Sequence, residues 1–560
     1  MLLPGLAGRI SVASLLIAGA SILLFASPLS SPILFELKKI SFRLENDQTP
    51  AKNAPETMPG GVAVFDYNGD GRPDIFFANG ANISTLKKDS PKYRNKLFRN
   101  DGNGVFTDVT DTAGLAGTGY DMGVAVADYD NDGHPDLFVA GLHHSTLYHN
   151  NGDGTFTDVT VKSGLDASLN RSDPEFGPLW AITAAWVDVN NDGLLDLFVV
   201  NYMQWSYSDK PLCGFNGAGD YCHPKFYKGQ PNQLFLNNGD GTFRDVSKEW
   251  GVRSHVGKGM GVGIADYDLD GRQDLFVTND SLYNSLFHNL GDKFEEVAFD
   301  TGVALTEDGS FISGMGLDFR DFNNDGYPDI AFVALVNQTF PLFQNTGKGT
   351  FREITSDSGM RDASLKMSGF GAGLYDFDND GWKDLFVSGG HVQSITLPGQ
   401  PVDQPNAVFR NLGASGKWTP LIEEAGFKSA PPARHRGCAF GDLDGDGRVD
   451  VVVTALGQDA EIWMNRSANS GHWLEVALRG TKSNRDGIGA RIKLVTKNGA
   501  QYNHMTTSVG YASSSDGPVH FGLGGENRAD LVEIHWSSGI VQALQNIPAD
   551  QVLKVTEPAQ

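Results

Sequence analysis

The feature that most constrains this chain is a nine-residue acidic pattern that recurs seven times. It reads "DYNGDGRPD" from Asp66, "DYDNDGHPD" from Asp128, "DVNNDGLLD" from Asp188, "DYDLDGRQD" from Asp266, "DFNNDGYPD" from Asp321, "DFDNDGWKD" from Asp376 and "DLDGDGRVD" from Asp442. Every copy has Asp at position 1, Asp or Asn at 3, Asp at 5, Gly at 6 and Asp at 9. Carboxylates crowded this closely repel one another and resist joint ionisation unless a cation sits among them. Solvated acidic turns would have no reason to keep one register through all the copies.

A hard divalent ion accounts for each position. Ca²⁺ takes about six to eight oxygens, and alternate residues of a tight loop can direct their side chains at one centre. The expected side-chain ligands are Asp66, Asn68, Asp70 and Asp74 in the first loop and Asp128, Asp130, Asp132 and Asp136 in the second. Asp188, Asn190, Asp192 and Asp196 follow in the third, and Asp266, Asp268, Asp270 and Asp274 in the fourth. The last three loops offer Asp321, Asn323, Asp325 and Asp329, then Asp376, Asp378, Asp380 and Asp384, then Asp442, Asp444, Asp446 and Asp450. Position 7 varies freely among Arg72, His134, Leu194, Arg272, Tyr327, Trp382 and Arg448, as expected if it contributes a backbone carbonyl. The Gly at position 6 permits the positive φ of a sharp turn. An EF-hand would need Glu at position 12 on an exiting helix, whereas here position 12 is apolar, as in Phe77, Val139 and Val277. The flanks "GVAVF" and "DIFFA" read as strands. Up to seven structural Ca²⁺ ions are therefore expected.

The loops recur at a period typical of repeat architectures. Within each unit a second motif follows, as in "KLFRNDGNGVFTDVT" from Lys96, "TLYHNNGDGTFTDVT" from Thr146 and "QLFLNNGDGTFRDVS" from Gln233. Two short apolar strands around an Asn/Gly/Asp turn signal a hairpin, so each unit supplies about four strands. The expected fold class is all-β, a seven-bladed β-propeller, with an open solenoid as competitor. The glycines of "GMGVGIAD" and "GFGAGLYD" leave one strand face bare, which suits a crowded axis.

These loops with their trailing hairpins resemble FG-GAP/VCBS repeats, the type found in integrin α-chain propellers. From Asn484 onward, "NRDGIGARIKLV", "GYASSSDGPVHFGLG" and "LVEIHWSSGIVQ" resemble the ASPIC/UnbV domain of the cartilage acidic protein-like family. The resemblance covers nearly everything after the N-terminal segment. It implies an extracytoplasmic calcium-binding propeller; an EGF-like module, which some animal members add, is absent, so no animal matrix role is implied.

Three segments are expected: 1–34 a signal peptide or signal-anchor, 35–469 the propeller, and 470–560 a small all-β ASPIC/UnbV domain. "ISFRLEN", from Ile40, resembles the outer strand "FTDVT" and is a candidate to complete the seventh blade. The assignment of "HWLEVALRG", from His472, to the last blade or the terminal domain stays open at this level. From Ile10 to Ala26 the chain is almost wholly apolar, with Arg9 ahead of it, as in a secretory signal or a short membrane anchor. A poor cleavage site favours an uncleaved anchor. The formal net charge is −24, yet the seven loops alone contain 25 aspartates. Seven Ca²⁺ ions would leave about −10. With no basic stripe to offset that field, nucleic acid is disfavoured as a partner.

Cys213 and Cys222 lie in a long insertion between the third and fourth loops, where an oxidising compartment would join them. A zinc site with His223 is the rival, short of a fourth ligand. Cys438 reads as a buried thiol. No G-x-S-x-G, H-E-x-x-H, P-loop or G-x-G-x-x-G motif occurs, so a binding or adhesion scaffold for a protein or carbohydrate ligand is expected, with a polysaccharide lyase or hydrolase as the alternative. If the acidic loops join first to second strands, the loops joining second to third strands lie on the opposite face. His143, His144, Asn201, Tyr202, Trp205, Tyr207, Asn279, Tyr283 and His391 are the candidate ligand face there, with Tyr120, Arg171, Trp180 and Arg434 nearby.

Overall fold

A computed structural model describes residues 32–208, 211–215, 218–396, 398–468 and 470–559. The apolar stretch from Ile10 to Ala26 lies outside the described residues. Among the described residues no helix is long and apolar enough to cross a membrane.

Seven four-stranded antiparallel sheets follow one another along the chain. Their innermost strands are Val62–Phe65, Asp121–Ala127, Ala181–Val187, Gly259–Ala265, Leu317–Arg320, Gly369–Tyr375 and His435–Gly441, which begin blades 1 to 7. Each packs beside the next, and blade 7 packs beside blade 1, so the ring is closed. Apolar clusters fill the spaces between neighbouring sheets, such as Phe42, Val62, Phe77, Val452 and Ile462 between blades 7 and 1. The period-2 alternation of each strand serves both of its neighbours, because both faces of every sheet are covered.

Blade 7 takes its outermost strand from the other end of the chain. Phe35–Arg43 pairs antiparallel with Asp459–Asn465, with Phe35 opposite Asn465 and Leu37 opposite Trp463. The blade is completed by the N-terminal segment as expected, but the strand begins five residues before "ISFRLEN": Phe35 to Lys39 pair in register, and of that stretch only Arg43 does. The pairing locks the ring with backbone hydrogen bonds between segments some 420 residues apart.

The bare strand faces turn to neighbouring blades, which corrects the expectation that they face the axis. Five residues before each acidic loop stands Gly61, Gly123, Thr183, Gly261, Gly316, Gly371 or Gly437. A Cβ on Gly123 would lie 2.2 Å from the Ile182 carbonyl oxygen, on Gly316 2.3 Å from that of Phe370, and on Gly437 2.3 Å from that of Gly60. The first two oxygens belong to the next inner strand, and the third to the residue two before it begins. The requirement is space and not backbone conformation, since none of these three has positive φ apart from the facing Gly60.

His472–Arg479 belongs to the terminal domain. It pairs antiparallel with Val519–Gly524 and parallel with Gln551–Thr556. A second sheet runs Gly499–His504, Arg491–Thr496, Arg528–His535, Val541–Pro548. Leu474, Val476, Ile492, Leu494, Phe521, Val532 and Ile534 form the buried interior of this pair of sheets. Glu557 ties the domain's end to the turn after Arg479, accepting the backbone N–H groups of Thr481, Lys482 and Ser483 at 2.7, 2.8 and 2.9 Å.

The domain sits on the acidic loops and sends the segment 506–516 into the propeller axis. The Val64 and Val124 N–H groups donate to the Ser514 and Ala512 carbonyls, and Leu317 and Gly510 exchange both of their backbone bonds. Ser508 Oγ donates to the Val262 carbonyl at 3.1 Å and Thr507 Oγ1 to that of Val126 at 2.9 Å. An inner strand has an open edge towards the axis, and its buried amides need partners. The small polar run "TTSVGYASSSD" supplies them. Tyr511 is its one large side chain, with its hydroxyl donating to the Met58 carbonyl at 2.8 Å and its ring edge-on to Phe370.

Two outcomes follow from these contacts. Gly123→Ala should destabilise the propeller by about 1–3 kcal/mol in urea unfolding, because the methyl overlaps a backbone oxygen that cannot turn away; Gly525→Ala, where nothing lies within 4 Å, should stay within about 0.5 kcal/mol. Glu557 supplies the second test. Burial opposes its ionisation, but the bonds from Ser538 and the three amides outweigh this and pull its pKa from 4.5 to about 2. A carboxylate depressed in the folded state stabilises it fully above pH 4.5 and loses that effect as pH falls towards 2. The stability gap between the parent chain and Glu557→Gln should therefore close across that window in acid denaturation, and a gap independent of pH would contradict it.

Candidate metal centre

Each acidic loop joins the first and second strands of its blade, so all seven loops stand on one rim. The loop folds around its own first carboxylate. Asp66 accepts the N–H groups of Asp70 at 3.1 Å and Gly71 at 2.7 Å, and Asp128, Asp188, Asp266, Asp376 and Asp442 repeat the pattern. Asp321 accepts from Asn324 and Gly326. The position-6 glycines all have the positive φ expected of them, from 78° at Gly447 to 100° at Gly133.

Position 9 has a larger part than closing a cage. Asp74, Asp136, Asp196, Asp274, Asp329, Asp384 and Asp450 are fully buried. In all seven blades one oxygen accepts the N–H of loop position 2, and the other accepts the N–H of an Asn on the third strand. That Asn then reaches backwards. Asn150 Nδ2 donates at 2.9 Å to the Tyr67 carbonyl in the loop of blade 1, Asn237 to Tyr129 in blade 2, Asn289 to Val189 in blade 3, and Asn345 to Tyr267 in blade 4. Asn411, Asn465 and Asn100 continue the series, the last closing it on Leu443 of blade 7. Sequence reasoning took this Asn for a turn residue. Its signal was the fixed "N" that ends "LFRN", "LYHN", "LFLN" and "LFHN" ahead of each hairpin turn.

Several loop carboxylates meet closely enough to share one ion. Ligand atoms of Asp128, Asp130 and Asp132 lie within 4.8 Å of one another, as do those of Asp266, Asp268 and Asp270, and of Asp376, Asp378 and Asp384. The donor chemistry fits a hard cation. Burial is the largest cause raising these groups, taking Asp74 and Asp128 up to about 8 and Asp136 and Asp274 to about 7. A divalent ion would relieve that cost. One oxygen of the buried Asp378 has no hydrogen-bond partner, as a ligand oxygen in waiting would not. At position 7 the side chains pack on the hairpin of their own blade: His134 over Gly152, Tyr327 over Gly347, Trp382 over Gly413. A glycine floor accepts any of them, which explains the variety.

The seven loops are not equivalent. In three blades the third-strand residue before the Asn reaches the loop carboxylates, and in blades 2 and 4 it is histidine. His149 Nδ1 lies 3.2 Å from both Asp130 and Asp136, and His288 Nδ1 3.1 Å from Asp274. In blade 6 it is Arg410, whose guanidinium pairs with Asp378 at 2.8 Å and Asp380 at 2.9 Å. In blade 7 the residue after the Asn, Arg466, reaches the loop instead, 2.8 Å from Asp444. Position-7 arginines Arg72, Arg272 and Arg448 also pair with Asp70, Asp270 and Asp446 of their own loops.

The rim is covered by the terminal domain. Asp486 accepts the Asp128 N–H at 2.8 Å, Arg485 N–H donates to Asn131, Lys383 Nζ donates to the Tyr502 carbonyl, and His520 meets Asn379. On the opposite face, most of the expected ligand residues are interior. Tyr202 is fully buried, with its hydroxyl donating to Asp280 at 2.6 Å and its ring edge-on to Trp180. Asn201 and Asn279 bond the backbone of their own blades, at Pro231 and Tyr283, and Trp205 and His391 are buried. Tyr120 is buried likewise, bonded to Asn46. The cause is the insertion: Cys213 and Cys222 are joined, Tyr221 reaches Glu56 at 3.1 Å, and Asp220 accepts from Ser394 at 2.8 Å. From blade 3 it thus crosses to blades 1 and 6. His143 and His144 are half-buried; Tyr207 and Tyr283 remain exposed. Exposed aromatics that sequence reasoning missed stand around Tyr283. Phe299 packs on it at 5.4 Å between ring centroids, Phe311 adjoins Ile312, whose carbonyl accepts the Ser281 N–H, and Phe226 lies near the Pro224 carbonyl that holds Lys258.

The fold and its loops define a closed propeller built from acidic-loop repeats, with a terminal domain seated on the loop rim. The chain belongs to the FG-GAP-like repeat family, whose model matches residues 66–139, 128–199, 226–277, 266–332, 321–387 and 376–453, and residues 480–560 match ASPIC and UnbV. It is similar to cartilage acidic protein 1 of Homo sapiens, 26% identical over 518 residues, covering 90% of this chain and 72% of that protein. The Mus musculus protein of that name is 25% identical, covering 90% and 74%. Among solved structures, an Agrocybe aegerita lectin recognising non-reducing terminal N-acetylglucosamine aligns with a TM-score of 0.40 at 16% identity, covering 72% of this chain and 87% of the lectin. Rhamnogalacturonan lyase YesW aligns at 0.36 and 12%, covering 78% and 76%. Both are too distant to bear on function.

The guanidinium in blade 6 occupies the place a cation would take. Arg410→Gln should tighten divalent-cation binding at one site by about tenfold or more, read by equilibrium dialysis, since a competing positive charge is removed. An unchanged isotherm would mean that ion and guanidinium do not compete.

Proposed function

We propose that this protein is an extracytoplasmic calcium-binding propeller that acts as a scaffold for a protein or carbohydrate ligand, and that it binds through the face opposite its acidic loops. The observation that carries this reading is the cover on the loop rim. With the terminal domain seated there, the part of the opposite face that the insertion leaves uncovered is the open one, and exposed aromatics stand on that face: Tyr283 is 39% exposed, Phe226 56%, and Phe299 and Phe311 60% each. Aromatic side chains held at loop tips by a rigid scaffold are the usual anchors of recognition. The all-oxygen loops favour Ca²⁺, and the Cys213–Cys222 disulfide and the relatives' name support an extracellular setting.

If each loop binds near 10⁻⁴ M, about 1 mM Ca²⁺ contributes roughly 1.4 kcal/mol per site. Chelation should lower the melting temperature markedly, and restoring calcium should recover it; a melt indifferent to chelator contradicts the calcium reading. Tyr283→Ala with Phe311→Ala should abolish capture of the ligand found on protein and glycan arrays and leave the calcium-dependent melt unchanged. Capture that survives this pair but fails with rim substitutions would place the ligand on the wrong face of this proposal.

A further inference from the structure

A cleft of about 360 Å³ opens where the four-stranded sheet of the terminal domain overhangs the loops of blades 4 and 5. Its roof is one face of that sheet. Arg491 stands opposite His504 and His535, and Lys493 opposite Tyr502 and Glu533, so these side chains share a face. Ile492, Leu494, Val532 and Ile534 point the other way into the domain's interior. A sheet that folds as half of a sandwich has no structural need for so many polar and aromatic groups on its outer face above a cavity.

The acids around this cleft are engaged. Asp266 accepts from Asp270 and Gly271 and faces Arg491 at 3.8 Å. Asp321 holds the Asn323, Asn324 and Gly326 amides, and Asp325 those of Tyr327 and the Asn323 side chain. Glu533 meets His535 at 2.9 Å. Among the described residues Lys493 has no carboxylate within ion-pair distance, although Glu533 stands opposite it in the sheet, and its ammonium lies 5.8 Å from the Tyr502 ring centroid. The hydroxyls of Tyr327 and Tyr502, both lining the cleft, donate to no group among the described residues. An ammonium outside ion-pair distance of any carboxylate and two phenols without acceptors, all counted among the described residues, therefore border one cavity.

We propose that this cleft binds an acidic sugar of the hexuronate class, with the carboxylate on Lys493, the ring against the tyrosines, and sugar hydroxyls meeting their phenols. An ammonium without a partner selects for an anion; the aromatic rings select for a ligand with apolar C–H faces; and the volume lies in the range of small-ligand pockets, about 300–1,000 Å³. The cleft lies on the loop rim, away from the open face assigned to the main ligand, and it does not depend on that assignment.

The test uses the full chain and three probes in ligand-observed NMR titration: D-glucuronate, D-glucose as the same ring without the charge, and glutarate as a carboxylate without the ring. Glucuronate should bind at least about tenfold tighter than either, and Lys493→Glu should weaken it by about tenfold or more with the thermal melt unchanged. Tyr502→Ser should also weaken it; because the Tyr502 ring packs on Gly326, Tyr327→Ser provides a second reading should Tyr502→Ser lower the melt. No binding of glucuronate, equal binding of glucose or of glutarate, or indifference to Lys493→Glu would each overturn the proposal.

Discussion

The structure depends on a buried carboxylate repeated seven times. The Asp at position 9 of each loop accepts one amide from its own loop and one from an Asn on the adjacent third strand, and that Asn bonds a loop carbonyl in the preceding blade. An ionisable group with no exposure is costly unless its lone pairs are satisfied. Here they are satisfied by backbone donors, so one side chain sets the geometry of the loop, the register of the third strand and, through Asn, the seat of the neighbouring blade. The acidic loop is thus the joint of the ring as well as a candidate cation site.

Ring closure then imposes a spatial demand that the inner strands meet with glycine. Six of the seven positions five residues before the loops lack a side chain, because atoms of the next blade or of the 506–516 segment stand where Cβ would be. The same strands leave amides facing the axis, and the terminal domain answers them with the 506–516 segment. The terminal domain is therefore part of the propeller's hydrogen-bond closure, and the run of serines around Tyr511 follows from the narrowness of the channel it fills.

The distribution of charge follows from this seating. The loops crowd carboxylates on one rim, and Arg410, Arg466, His149 and His288 moderate that crowding unequally. The terminal domain adds Arg485 and Arg491 beside Asp128 and Asp266. A face so occupied by its own chain is poorly placed for a large ligand, whereas the opposite face keeps its aromatic tips in solvent.

The sequence by itself determined the repeat, the strand–loop–strand unit and the number of sheets in the ring, because ligand spacing, period-2 alternation and turn glycines are local signals; for Cys213 and Cys222 it offered a disulfide or a zinc site, and the structure joins them. It also pointed to Phe35–Arg43 through its likeness to an outer strand. Tyr202, Asn201, Trp205, Asn279 and His391 read as loop-tip residues in the chain and are buried in the structure. Local sequence cannot say that an insertion from blade 3 will lie across blades 1 and 6, since that depends on contacts between residues such as Tyr221 and Glu56 that are far apart in the chain. The seating of the terminal domain on the loop rim was equally hidden. Polar residues such as Arg485, Lys493 and Ser514 carry the same local pattern whether they meet solvent, a cleft or another domain's amides, and only the tertiary structure decides which.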